Sequence, residues 1–79
     1  MNEFIKQCKN IVANYIKDVY LSDEDIFVVW SCKTLQNKKA LLSTTTKGSP
    51  YFEITYNGDK KEIYVDVYKK EKNYCIKNN

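Results

Sequence analysis

Ten carboxylates, thirteen lysines, seven tyrosines and three cysteines are the side chains of this sequence that could do chemistry, and there is no histidine. Two carboxylate groupings could in principle pair as general acid and base: Asp59 with Glu62 beside one predicted turn, and Asp23, Glu24 and Asp25 beside another. Carboxylates at turns ordinarily stay solvated, and no cleft-forming pattern surrounds these, so neither group reads as catalytic. Cys8, Cys32 and Cys75 lie far apart with no C-x-x-C pair, and without histidine no zinc pattern can be assembled. An odd cysteine count is a poor disulfide framework and fits free thiols in a reducing cytosol. A nucleophilic thiol needs a partner that lowers its pKa, and the usual histidine is missing. The expectation is a protein that is not an enzyme, with no cofactor and no metal.

The lysines and tyrosines point instead to contact surfaces. Net charge is +3, and all thirteen basic residues are lysine, with no arginine. Arginine supplies the planar fork that reads phosphates and guanine edges, whereas lysine is a hydrated point charge. A lysine-rich nucleic-acid-binding module is therefore the alternative reading, with nucleic-acid contact expected to be weak or indirect. A binding surface for another protein is the first reading, since tyrosine and tryptophan give contact area at low entropy cost.

The elements that must position these residues follow from pattern. With 79 residues there is one domain, 1–79, and a thin core. Phe4, Ile5, Cys8, Ile11, Val12, Tyr15, Ile16 and Val19 recur at helical spacing and predict an amphipathic helix over about 2–20, capped by Asn2 and with Glu3 against the positive end of its dipole. The polar string Ser22-Asp23-Glu24-Asp25 ends it. Residues 26–34 are β-branched and aromatic and predict a strand with Ile26, Val28, Trp30 and Cys32 on one face and Phe27 and Val29 on the other. Further strands are predicted at about 39–46, 51–56 and 61–68, separated by Leu35-Gln36-Asn37-Lys38, by Lys47-Gly48-Ser49-Pro50 and by a turn at Asn57-Gly58. A two-residue loop there would oppose Glu53 to Glu62, so a four-residue loop that opposes Glu53 to Tyr64 is preferred. Either register puts Phe52, Ile54, Ile63, Val65 and Val67 on one face, against which the helix should pack. The polar tail 69–79 has Tyr74, Cys75 and Ile76 as a candidate short fifth element. The fold class is α+β, one N-terminal helix on a four-stranded antiparallel meander.

One helix covers one face of such a sheet, and the other is expected to present Tyr51, Tyr64 and Tyr68. Alternate turns of a meander lie at one end, which should bring Lys38 and Lys39 beside Lys60 and Lys61, near Lys33, with Asp23 to Asp25 at the opposite end. The partner-binding residues expected are thus Tyr51, Tyr64 and Tyr68, with Lys38, Lys39, Lys60 and Lys61 steering the approach. A homodimer closing through the open sheet face is a further possibility. No apolar run approaches the roughly 20 residues of a membrane helix, and Met1-Asn2-Glu3-Phe4 lacks the features of a signal peptide, so no membrane association is expected.

Three segments also carry a resemblance: Val28-Val29-Trp30-Ser31-Cys32-Lys33-Thr34-Leu35-Gln36-Asn37, Lys39-Ala40-Leu41-Leu42-Ser43-Thr44-Thr45, and Thr55-Tyr56-Asn57-Gly58-Asp59-Lys60. With Met1-Asn2-Glu3-Phe4-Ile5-Lys6-Gln7, they resemble a family of short uncharacterised proteins encoded by phages and prophages of Gram-positive bacteria. The connection from helix to first strand is shorter here than in that family. The resemblance carries over no functional residues. It implies a context: an accessory phage or prophage protein in the bacterial host cytoplasm that binds and inhibits or redirects a host protein, with a defence nuclease of the CRISPR type as the class of target.

Overall fold

The computed structural model of the chain describes residues 1–78. A helix, α1 (Asn2–Ile16), is followed by a single 3-10 turn at Asp23–Asp25 and four strands, β1 (Ile26–Thr34), β2 (Asn37–Thr44), β3 (Tyr51–Asn57) and β4 (Glu62–Tyr68). The strands form one antiparallel sheet in the order β1-β2-β3-β4, and α1 packs on one face of it, as the hydrophobic periodicities predict.

Phe4, Cys8 and Val12, one every four residues, form a fully apolar stripe at the centre of the helix contact. They meet Ile26 from β1, Ala40 and Leu42 from β2, and Phe52 and Ile54 from β3. Ala40 leaves room for the helix to lie close over the sheet. Tyr15 remains largely exposed but sets its ring edge-on to Phe52, with centroids 5.3 Å apart.

The helix is shorter than its apolar stripe suggests. Met1, not Asn2, is the N-terminal flanking residue, and Asn2 is already helical. At the other end Lys17 turns left-handed, with φ 57°, while its N–H donates to the Ala13 carbonyl. The Asp18 carboxylate then accepts the Tyr20 N–H at 2.9 Å, giving the backbone a local partner in place of a further helical turn. Val19 is consequently outside the core, 90% exposed.

Two strands depart from their predicted layout. β2 begins two residues earlier than expected and ends at Thr44. β1 carries a bulge between Val28 and Trp30. Ile26 and Val28 face the helix opposite Thr44 and Leu42, but after the bulge Trp30 pairs with Leu41 and Cys32 with Lys39, on the far face. The sequence reading that kept Ile26, Val28, Trp30 and Cys32 together is thereby corrected: the extra residue resets the alternation.

The β3–β4 hairpin closes through the four residues between Asn57 and Glu62, with Glu53 opposite Asp66 and Thr55 opposite Tyr64. This register lies two residues beyond the one expected. The Asn57 side chain sets it by accepting the N–H groups of Asp59 and Lys60, and Lys61 completes the turn at φ 54°. The two carboxylates brought face to face are relieved by Lys39, 3.7 Å from Glu53.

Phe52 and Ile54 are wholly buried as expected, but Ile63 and Val67 are only partly covered and Val65 is 40% exposed. The helix lies mainly over β2 and the adjoining side of β1, so it covers β4 only in part. Residues 69–78 form no fifth element; Tyr74, Cys75 and Ile76 are exposed. Asn79 lies outside the described residues.

Candidate partner-binding face

Among the described residues no helix or strand packs on the face of the sheet opposite α1. Register places Trp30, Leu41, Glu53 and Asp66 in one row across all four strands, and Cys32, Lys39, Thr55 and Tyr64 in the next. Towards the other end Phe27 pairs with Ser43, and Tyr51 with Tyr68. Phe27, Trp30, Tyr51, Tyr64 and Tyr68 are each between 42% and 52% exposed. Five half-exposed aromatic rings thus share one face of the sheet with the half-buried Leu41.

The polar groups of this face hold the rings in place. The Tyr64 hydroxyl donates to Glu62 Oε1 at 2.8 Å, and the Tyr68 hydroxyl donates to Glu53 Oε1 at 3.4 Å. Both phenols are pushed above the ordinary tyrosine pKa, Tyr64 chiefly by its hydrogen bond to Glu62 and Tyr68 chiefly by the charge of Glu53. They therefore remain neutral hydroxyls at physiological pH, available as contact groups and not as bases.

All three predicted tyrosines lie on this face; the lysines do not gather with them. Only Lys39 shares it. Lys38, one residue earlier in β2, points to the helix side, where its Nζ sits 5.7 Å from the Tyr56 ring centroid and 6.0 Å from that of Phe4. Lys61 joins Lys38, Glu3, Gln7, Tyr56 and Ile63 around a shallow groove there, and Lys60 is exposed on the turn itself. The two turns do adjoin as expected: the Gly58 N–H donates to Asn37 Oδ1 at 3.0 Å, and Gln36 Nε2 donates to Asp59 Oδ1.

The opposite end is not simply acidic. Asp25 accepts the N–H and hydroxyl of Ser22 at 2.9 and 3.0 Å, and these bonds hold its carboxyl below the usual aspartate range. Thr45 donates its N–H to the Asp25 carbonyl, pinning the turn to the end of β2. Asp23 pairs with Lys9 of the helix at 3.3 Å. Lys47, Lys69 and Lys70 sit at this same end, around a cleft of about 540 Å³ whose wall includes Phe27 and Tyr51. Sequence reasoning missed this second basic region because it assigned charge by turn alone. It missed Phe27 and Trp30 as neighbours because the Val28-Val29 pair gives no sign of a bulge.

Cys8 is enclosed in the core, where burial pushes its thiol up to about 11, while Cys32 and Cys75 are exposed. Among the described residues no group of three or more cysteines and carboxylates is placed to hold a metal ion, and no helix is long and apolar enough to cross a membrane.

Fold and surface together define a small α+β domain with one helix-covered sheet face and one aromatic face left open. The chain belongs to a family of unknown function, DUF6275, whose pattern it matches over residues 5–78. No curated protein and no solved structure matches it.

Proposed function

We propose that the chain is a phage or prophage accessory protein that binds a host protein in the bacterial cytoplasm and inhibits or redirects it, with a defence nuclease of the CRISPR type as the target class. The observation that carries the binding reading is the open sheet face, where Phe27, Trp30, Tyr51, Tyr64 and Tyr68 are exposed on the side that also carries Leu41. Rigid rings on a sheet scaffold lose little conformational freedom on contact, and amphipathic tyrosines bind without needing a dry pocket. The phage setting and the class of target rest on the resemblance of the β1, β2 and β3–β4 segments to phage-encoded proteins.

The test is affinity capture of host proteins by the tagged chain beside a Tyr64→Ala, Tyr68→Ala variant, with circular dichroism to show that both are folded. Both tyrosines are about half exposed, so the variant should retain the fold. The expected result is one host protein bound by the wild type and lost from the variant, then reproduced with purified components. Equal retention by both would move the contact off this face.

A nucleic-acid reading has one observation in its favour, the Lys47, Lys69 and Lys70 cleft with Phe27 and Tyr51 in its wall. Lysines beside aromatic rings suit a single strand, with charge on the backbone and rings under the bases.

A further inference from the structure

We propose that β4 is a self-association edge, pairing antiparallel with β4 of a second copy to give a continuous eight-stranded sheet. The two outer strands of the sheet are treated differently. β1 is broken by its bulge and carries Lys33, two devices that discourage edge pairing. β4 has neither bulge, proline nor lysine; it pairs with β3 in unbroken register, so its outer backbone groups present an equally regular row. Residues 69–78 are all exposed and add no strand to it.

The sequence of β4, Glu62 to Tyr68, is self-complementary about Val65. A two-fold axis through Val65, perpendicular to the sheet, sets Val65 against Val65 and Ile63 against Val67 on the helix side. That row is the one α1 leaves half-covered, with Val65 40% exposed. On the other side Tyr64 of one copy meets Asp66 of the other, and Glu62 meets Tyr68. Every directly opposed pair is then apolar with apolar or phenol with carboxylate, and no like charges face each other.

Neighbouring registers lack this property. Moving the axis to Tyr64 opposes Glu62 to Asp66, and moving it to Asp66 opposes the two Asp66 carboxylates. Charge therefore selects the register that also pairs all seven residues. The axis keeps both helices on one side, so the two aromatic faces become one surface of twice the width. This assembly is independent of whether that surface binds a host protein.

Sedimentation equilibrium on the full chain, over a concentration series up to the millimolar range, tests the proposal. The wild type should approach twice its 9.3 kDa mass, and Val65→Lys, which sets two ammonium groups against each other at a half-exposed site, should stay at the monomer mass. A second reading does not depend on that variant folding: with Cys32 and Cys75 replaced by serine, Val65→Cys should form a disulfide-linked dimer under mild oxidation, and Tyr64→Cys, which faces Asp66, should form far less. A wild type that is monomeric throughout overturns the proposal. So does a dimer that survives Val65→Lys but is dispersed by Trp30→Lys, which would place the contact on the open face, and so does a monomer whose capture of a host protein is lost in Val65→Lys, which would give the edge to a foreign strand.

Discussion

Burial separates residues that the sequence pattern treats alike. Ile11 and Ile54 both belong to predicted core stripes, yet Ile54 is fully buried between the helix and the sheet while Ile11 is only partly covered. Ile54→Ala should cost about 2–5 kcal/mol, through lost transfer energy and the cavity left behind. Ile11→Ala should cost distinctly less. A domain of this size has only about 5–15 kcal/mol to lose, so urea midpoints will separate the two variants clearly, and equal midpoints would mean that the helix contact is misassigned. Cys8 extends the argument to pH. Its thiol is raised in the fold from an ordinary value of 9.0 to about 11, because burial penalises the thiolate. The contribution of the buried thiol to stability is thus complete below pH 9 and is lost as pH rises towards 11. At neutral pH a thiol reagent should modify Cys32 and Cys75 quickly and Cys8 only on unfolding, which mass spectrometry over time would read.

Between elements, the two glycines show how different physical demands select one residue type. Gly48 is the third residue of the tight turn closed by the Ser49 N–H on the Thr46 carbonyl, and its φ of +78° is left-handed. Nothing lies near the space a Cβ would take there. Gly48→Ala should therefore cost only about 1–2 kcal/mol of backbone strain, and Gly48→Asn less, since asparagine tolerates that region. Gly58 faces the opposite problem: a Cβ would collide with the Gln36 backbone carbonyl, where the β3–β4 turn seats on the β1–β2 turn. Gly58→Ala must push the two turns apart and strain the Asn37 and Gln36 hydrogen bonds that join them, so asparagine should give no rescue there; thermal denaturation of the four variants tests the contrast. The Asn57-Gly58 turn was legible in the sequence, and so were the helix, the four strands and their order. The register was not. Avoiding a Glu53–Glu62 clash was sound reasoning, but the structure accepts a Glu53–Asp66 pair because Lys39 reaches Glu53 from β2, a neighbour that hairpin-level reasoning leaves out. The bulge that turns Trp30 to the open face was equally hidden, since Val28-Val29 looks like any β-branched pair.

The whole molecule is a flat body, 45 × 36 × 18 Å, with lysines at both ends of its sheet. Lys38, Lys60 and Lys61 occupy one end and Lys47, Lys69 and Lys70 the other, where Asp23 to Asp25 offset them. No single stripe of positive charge follows the open face, and Lys39, the lysine there, is engaged by Glu53. Two of the hydroxyls in the lysine cleft are committed as donors: Ser43 and Ser49 both donate to the Pro50 carbonyl. A phosphate backbone would therefore meet a few separate lysines and not a preorganised ring of donors. Binding of that kind is driven by counterion release, with log affinity falling by about 0.7 per neutralised phosphate for each decade of salt on a single strand. With three lysines engaged at most, random single-stranded DNA or RNA should bind weakly in low salt and not measurably at physiological ionic strength in a fluorescence anisotropy titration. Lys47→Glu, Lys70→Glu should remove what binding there is. Submicromolar binding that persists in physiological salt and is lost in that variant would make the lysine cleft the working site and leave the aromatic face as sheet stabilisation alone.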